Sequence, residues 1–281
     1  MKLSLTASPN PGRFAPILLR AQPAEAFALA AELGYDGVEL HLRRPSDIDR
    51  VAVKKLAADY GLGIPMIGSG MAVDDGLTFS DSDPEVRRRA VMRIREHVEL
   101  ARFLDSMPVI GSIKGTLGKD PEARSTREAY MLDCIRQCAE AAAEAGVSLL
   151  VEAINRYETD YLNTVEEALG LLHQIGLPSI KLLVDTFHMN IEEVDIAASV
   201  RKAGSTIGHV HLADSNRQAP GHGHLDLLSV LQALQDVHYQ GYLSLECLPL
   251  PNPRQAAEDG IRTVKPLLAR LDPSFDHYAK P

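Results

Sequence analysis

Short runs of Val, Ile and Leu recur along the chain and alternate with longer segments whose apolar residues fall at helical spacing, the pattern of repeated βα units. Eight such runs occur, at residues 2–7, 36–41, 63–68, 107–112, 147–152, 180–185, 207–212 and 242–247. Helix signals lie between them. Pro23 opens the first helix, Asp83-Pro84-Glu85 opens the third, and Thr164 with Glu167 forms a capping box before the fifth. Gly34, Gly61, Gly146 and Gly176 stand where helices should end. Eight repeats without a Gly-rich phosphate loop predict an α/β fold closed as a (β/α)8 TIM barrel rather than a doubly wound sheet.

The length of 281 residues suits one barrel domain over 1–281, and no linker or low-complexity stretch divides it. The polar, Gly-rich connection at residues 69–83 is a candidate lid over the barrel mouth, or a long surface loop. With 45% hydrophobic and 24% charged residues and no long apolar run, the chain is expected to be a globular protein with no membrane partner. The opening MKLSLT reads as a strand rather than a signal peptide. Cys134 and Cys138 sit at i and i+4 in an Ala-rich helix, so they are expected to be small core-facing residues. Together with Cys247 they make an odd count, which fits reduced thiols and a cytoplasmic location. A formal charge of −9 argues against a nucleic-acid partner, which needs clustered Lys and Arg.

The chemistry lies at the ends of the last four strands. V-S-L-L-V-E ends at Glu152, I-K-L-L-V-D at Asp185, H-V-H at His211 and Y-L-S-L-E at Glu246. Every barrel strand delivers its last residues to one face, so four ends one βα unit apart converge. A carboxylate directly after several apolar strand residues is costly without compensation. Any one of them could pair with an arginine or cap the next helix, but three together call for a cation. This set of three oxygens and one nitrogen favours one divalent ion, Mn²⁺ first, with Mg²⁺ or Co²⁺ as alternatives, over zinc. His209 shares the strand face of His211 and is expected one layer deeper, as a packed or supporting histidine. His41, closing the second strand, is either a substrate contact or a satisfied core histidine. The run G-H-G-H (221–224) reads as mouth rim rather than a second metal site.

VEAINRYETD (151–160), VDTFHMNIEE (184–193), HVHLADSNR (209–217) and LSLECLPLP (243–251) resemble the ketose 3-epimerase branch of the xylose-isomerase-like barrels, which includes D-tagatose and D-psicose 3-epimerases, and most resemble the 5-keto-L-gluconate epimerase type. The resemblance covers nearly the whole chain. It implies metal ligation by Glu152, Asp185, His211 and Glu246, and a substrate held at its O1–O2 end by Glu158, His188 and Arg217. It also implies a small sugar or sugar-acid partner and a homo-oligomer, either dimer or tetramer. The hexulose epimerases carry large aromatics at the mouth, whereas this chain has no Trp and six Phe. Lys114, at the fourth strand end, matches a basic residue of the keto-gluconate type and would suit a substrate carboxylate, unless its charge is simply solvated.

The expected activity is therefore epimerisation of the carbon next to a carbonyl, C3 of a ketose or keto-sugar acid. A divalent Lewis acid stabilises the developing enediolate, and Glu152 and Glu246 serve as opposed acid and base. Arg217 could instead be paired with Asp214 or Glu158. Aldose–ketose isomerisation uses the same groups, as does a lyase or dehydratase acting on a keto-sugar or inosose. An abasic-site endonuclease would need more metal-binding histidines and a basic groove, and a non-catalytic sugar-binding barrel would not need both glutamates.

Overall fold

Alternation of inward and outward side chains along each strand builds two separate cores. In the computed structural model, residues 1–12 and 15–271 are described. The strands are β1 (Lys2–Ser8), β2 (Leu19–Arg20), β3 (Gly37–His41), β4 (Met66–Gly68), β5 (Met107–Ile110), β6 (Leu149–Glu152), β7 (Ile180–Asp185), β8 (Ile207–Leu212) and β9 (Tyr242–Leu245). All pair in parallel. β1 and β3–β9 run in sequence order and β9 closes on β1, making an eight-stranded barrel; β2 is a short addition beside β1. Among the described residues nine helices surround it: α1 (Pro23–Leu33), α2 (Arg50–Tyr60), α3 (Pro84–Leu104), α4 (Pro121–Ala145), α5 (Val165–Ile175), α6 (Thr186–Glu192), α7 (Ile196–Ala203), α8 (Leu227–Asp236) and α9 (Pro253–Leu271). The expected barrel is thus present among the described residues.

The helix signals act as expected. Asp83 caps α3 by accepting from Glu85 N, and Thr164 and Glu167 cap each other's backbone at α5. Gly34, Gly61, Gly146 and Gly176 end their helices with φ of 79°, 67°, 71° and 71°. Five strands are shorter than predicted: β3 starts one residue late, β6 two residues late, β9 stops at Leu245, and β4 and β5 are cut short for local reasons. The run at 63–68 reaches sheet geometry only from Met66, with one bridge at Gly63, because Pro65 has no N–H to donate to a ladder. The run at 107–112 stops at Ile110, since Gly111 (φ −105°, ψ −118°) turns the chain into a 3₁₀ turn at Ser112–Lys114. β2 was not foreseen.

Outward residues such as Leu5, Leu40, Val151, Val184 and Leu245 pack beneath the helices in the main core. The barrel interior divides in two. Met66, Val109, Leu150 and Leu183, from β4 to β7, form a small apolar cluster. Ser4, Thr6, Glu39, His209 and Ser244, from β1, β3, β8 and β9, are fully buried polar residues. The three cysteines are free and buried. Among the described residues, no helix is long and apolar enough to cross a membrane.

One irregularity positions the site. β7 and β8 pair Leu182 with Ile207 but Leu183 with His209, so Gly208 is an extra residue, and Asp185 comes level with His211. Gly208 has no room for a side chain: a β-carbon would lie 2.7 Å from Leu150 Cδ2 and 2.8 Å from Lys181 Cβ. Gly208→Val should destabilise the protein by about 1–3 kcal/mol through overpacking. Calorimetry should then show Tm falling by about 2–4 °C for each kcal/mol; an unchanged Tm would mean that the bulge tolerates a side chain.

Candidate metal centre

Parallel strands put Glu152, Asp185, His211 and Glu246 at one rim, and one atom from each lies within 4.8 Å of every other. His211 Nδ1 is 3.6 Å from Glu246 Oε2, 3.9 Å from Glu152 Oε1 and 3.9 Å from Asp185 Oδ2. Four donors about 2.1 Å from a shared ion stand roughly 3 to 4.2 Å apart, so the spacing fits a single cation. Two of these atoms, Asp185 Oδ2 and His211 Nδ1, are buried and have no hydrogen-bond partner. Buried polar atoms are rarely left unpaired, and these two face each other with carboxylates on either side. The donor set, three carboxylates and an imidazole, suits a hard divalent ion.

Each candidate ligand is aimed by its local structure. Asp185 is both the last residue of β7 and the N-cap of α6. Its Oδ1 accepts from Phe187 N at 2.7 Å, leaving Oδ2 for the centre. Glu152 lies against Gly111, where a β-carbon would meet its Oε2 at 2.8 Å, so only glycine lets the carboxylate rest there. His211 is oriented from behind by Glu39, a fully buried residue that the strand pattern did not single out. Glu39 Oε1 accepts from His211 Nε2 at 3.0 Å and from His41 Nε2 at 2.6 Å, and its Oε2 accepts from His209 Nε2 at 2.7 Å. Burial alone would raise the Glu39 carboxyl, but the charges and donated hydrogen bonds of His211 and His209 hold it well below the usual range. An ionised Glu39 fixes the proton of His211 on Nε2 and frees the Nδ1 lone pair for a metal. The signal was available: Glu39 and His41 alternate on one face of an otherwise apolar strand.

The predicted substrate residues group beside this cluster. His188, on the first turn of α6, has Nε2 3.7 Å from Glu152 Oε1 and 3.8 Å from Asp185 Oδ2. Its Nδ1 accepts from Asn155 Nδ2 at 2.7 Å, so Nε2 carries the proton and points into the site. Burial, opposed by Asp185 and aided by Arg217, lowers His188 to about 4 and keeps it neutral. Asn155, also unforeseen, donates to Glu158 Oε1 at 3.0 Å. Arg217 binds Glu158 at 2.7 Å, reaches within 3.7 Å of Glu246 and lies 4.7 Å over the Phe187 ring. Of the two partners considered for Arg217, the structure selects Glu158. Asp214 instead accepts main-chain N–H groups from Ser215, Gly221 and Leu225. His209 lies one layer deeper, between Glu39 and Ser244. His41 borders the cavity while its Nε2 stays on Glu39.

Lys114 departs from expectation. It is fully buried and its Nζ donates to Glu152 O at 3.1 Å and, more weakly, to Gly111 O at 3.5 Å. It does not line the cavity, because the turn after Gly111 folds the side chain beneath the strand ends. It ties β5 to β6 rather than presenting a cation to a substrate carboxylate. His222 and His224 pair with Asp259 and Ser215 and also lie outside the cavity wall. Residues 70–75, within the candidate lid, supply Met71, Val73 and Asp74 to that wall and are pinned to the body by Arg43 and Arg93 through Asp75.

Fold and site together define a barrel enzyme with a carboxylate–imidazole cluster at its C-terminal mouth. A family model described as xylose isomerase-like TIM barrel matches residues 27–267. L-ribulose 3-epimerase of Mesorhizobium japonicum is 36% identical over 217 residues, spanning 76% of this chain and 72% of that protein. 3-Dehydro-D-guloside 4-epimerase of Escherichia coli is 33% identical over 250 residues, spanning 86% and 93%. The solved D-allulose 3-epimerase from Methylomonas sp. in complex with D-allulose superposes with a TM-score of 0.79 at 27% identity, covering 94% of this chain and 97% of that one. The chain belongs to the xylose isomerase-like TIM barrel family, and among its members it is an isomerase of the epimerase class.

Two predictions concern the centre. Glu39→Gln removes the charge that fixes His211 and should weaken manganese binding about 10- to 100-fold by calorimetry; unchanged affinity would show that Glu39 only packs. Burial, reinforced by the charge of Glu246, raises Glu152 to about 8, and Glu39 and Glu246 outweigh burial to raise His211 above its usual value. At pH 7 the metal-free cluster therefore holds protons that a cation must displace. Manganese titration in buffers of different ionisation enthalpy should show proton release at pH 7, less release at pH 9, and affinity rising with pH between them. A pH-independent affinity would contradict this.

Proposed function

We propose that the chain is a divalent-metal-dependent epimerase that inverts the carbon next to the carbonyl of a keto sugar. The observation that carries this reading is the approach of Glu152 and Glu246 to one point from strands three apart on the ring, over the partnerless Asp185 Oδ2 and His211 Nδ1. Glu152, Asp185, His211 and Glu246 would hold the ion, with Mn²⁺ favoured by the donor set. Bound there, it would supply Lewis acidity to the carbonyl and its neighbouring hydroxyl.

The protein's own groups do the rest. One glutamate takes the proton from the carbon beside the carbonyl, and the other returns a proton from the opposite face, which inverts the centre and leaves composition unchanged. His188, protonated on Nε2, donates to the carbonyl end, as does Arg217. Glu158, steadied by Asn155 and Arg217, accepts from a hydroxyl. The relatives' names support inversion next to a carbonyl, at C3 of a ketose in one case and at C4 of a 3-dehydro sugar in the other. A sugar-acid substrate loses its main support with the burial of Lys114.

With manganese in D2O, NMR should show exchange of the proton next to the carbonyl for at least one member of a panel of ketoses, keto-aldonates, ketose phosphates and keto-glycosides. No exchange across the panel would sink the epimerase reading. Glu246→Gln should reduce exchange by about 10²-fold or more and also weaken metal binding; full turnover in that variant would remove Glu246 from the acid/base role.

A further inference from the structure

Lys114 is a fully buried cation that the proposed reaction does not use. Taking a charge out of water is costly unless it is well paired, and an apolar side chain would fill the same space without that penalty. Among the described residues its hydrogen-bond partners are main-chain carbonyls alone, Glu152 O at 3.1 Å and, weakly, Gly111 O at 3.5 Å. The charges that offset its burial are the carboxylates of Glu152 and Glu158. The turn that carries it is closed by other groups. The main-chain N–H of Lys114 donates to Gly111 O, Phe79 N donates to Ile113 O and Thr159 Oγ1 to Gly115 O, while Asp160 accepts from Leu117 N and Gly118 N. The ammonium is therefore surplus to the turn, and its position has another reason.

The two carbonyls it spans belong to the two residues that form one slot. Glu152 ends β6, and its Oε2 rests where a β-carbon on Gly111 would lie, 2.8 Å away. The β5–β6 ladder stops at Ile110–Val151. Gly111 and Glu152 come next in register, outside the ladder, and the ammonium bridges them where no strand hydrogen bond does. On its other side Glu152 stays in register with Leu183 of β7, so the β5 side is the one that needs holding. We infer that Lys114 is a positioning residue: its ammonium joins the carbonyls of Gly111 and Glu152 beyond the end of the ladder and so sets the direction in which the Glu152 carboxylate enters the centre. This deepens the epimerase reading and rests on its assignment of Glu152 to the metal. Lys114 does not line the cavity, so its effect passes through Glu152.

The sign of the effect separates this role from simple charge. A positive group near a cation's site opposes the cation, so its removal should by itself tighten manganese binding. Loss of a contact that orients a ligand should instead weaken binding by about 10- to 100-fold. The test reads manganese affinity at fixed pH from the electron paramagnetic resonance signal of the free ion, with circular dichroism to follow the fold. Lys114→Met, which keeps the apolar stem, should bind at least about tenfold more weakly than the unaltered chain; Lys114→Gln, which keeps an amide donor, should lose less and carries the test if the first variant does not fold. In a Glu152→Ala background the Lys114 substitution should change affinity by less than about twofold, because the residue it acts through is gone. Equal or tighter binding in the single variants, an undiminished loss in the Glu152→Ala background, or loss of the fold in both single variants would each overturn the positioning role and leave the metal reading standing. If the unaltered chain takes up no manganese, the metal reading fails and this inference with it. The readout needs no turnover, so a failed exchange assay leaves it decided.

Discussion

Glu39 is the residue on which the site depends. Its carboxylate lies inside the barrel with no exposure and takes N–H groups from His41, His209 and His211. A buried charge of this kind costs several kcal/mol unless it is fully bonded, and three imidazoles supply the bonds. In return it fixes three rings, and for His211 that means an Nε2 donor behind and an Nδ1 lone pair in front. A neutral residue at this point would leave His211 free to carry its proton on either nitrogen. The ordered face it presents to Glu152, Asp185 and Glu246 would go with it.

The division inside the barrel continues into the division at its mouth. β1, β3, β8 and β9 fill their half with Ser4, Thr6, Glu39, His209 and Ser244, whose hydrogen bonds lock the strands to one another; Ser4 and Ser244, for example, meet at 2.5 Å. β4 to β7 fill theirs with Met66, Val109, Leu150 and Leu183. The polar half holds the ring of His211 from below, while Met66 and Val109 of the apolar half reach the cavity wall. The same side chains thus serve as core for the fold and as part of the cavity wall. Their dual role explains how a cavity with so few aromatic residues still has an apolar side.

Much of this was legible in the sequence, for a physical reason. A carboxylate that ends an apolar strand breaks the pattern of a buried strand, and three such breaks with one histidine, at the C-terminal ends of consecutive strands, point to one centre. Asp185 satisfied two readings at once, since one oxygen caps α6 and the other remains for the centre. Glu39 was harder to see because two of its three partners, His209 and His211, lie 170 and 172 residues away and those bonds exist only once the barrel has closed. Lys114 misled for the opposite reason: the sequence shows a charge near a strand end, but not the turn at Gly111 that buries it. The apolar side of the cavity was invisible, because a methionine or valine facing a cavity has the same pattern as one facing the core.

A further tension in the structure, at the cavity wall, sits at Arg217. Its φ of 60° is a left-handed conformation that costs a non-glycine residue about 1–3 kcal/mol, and its Nε is buried without a partner. Both penalties are sustained by the surroundings: Leu248 N donates to its carbonyl, Asp214 O receives its N–H, and the guanidinium rests on Phe187. A relaxed backbone here would swing the side chain away from Glu158 and Glu246 and remove a fixed cation from beside the carboxylate cluster. The cost is thus borne at a residue that lines the cavity, and its unmet N–H is one that an oxygen acceptor placed there would satisfy. Pre-orientation of Arg217 and of the Nε2 proton of His188 follows the same logic as Glu39 behind His211: each polar group at this mouth is held from behind so that its reactive atom is free in front.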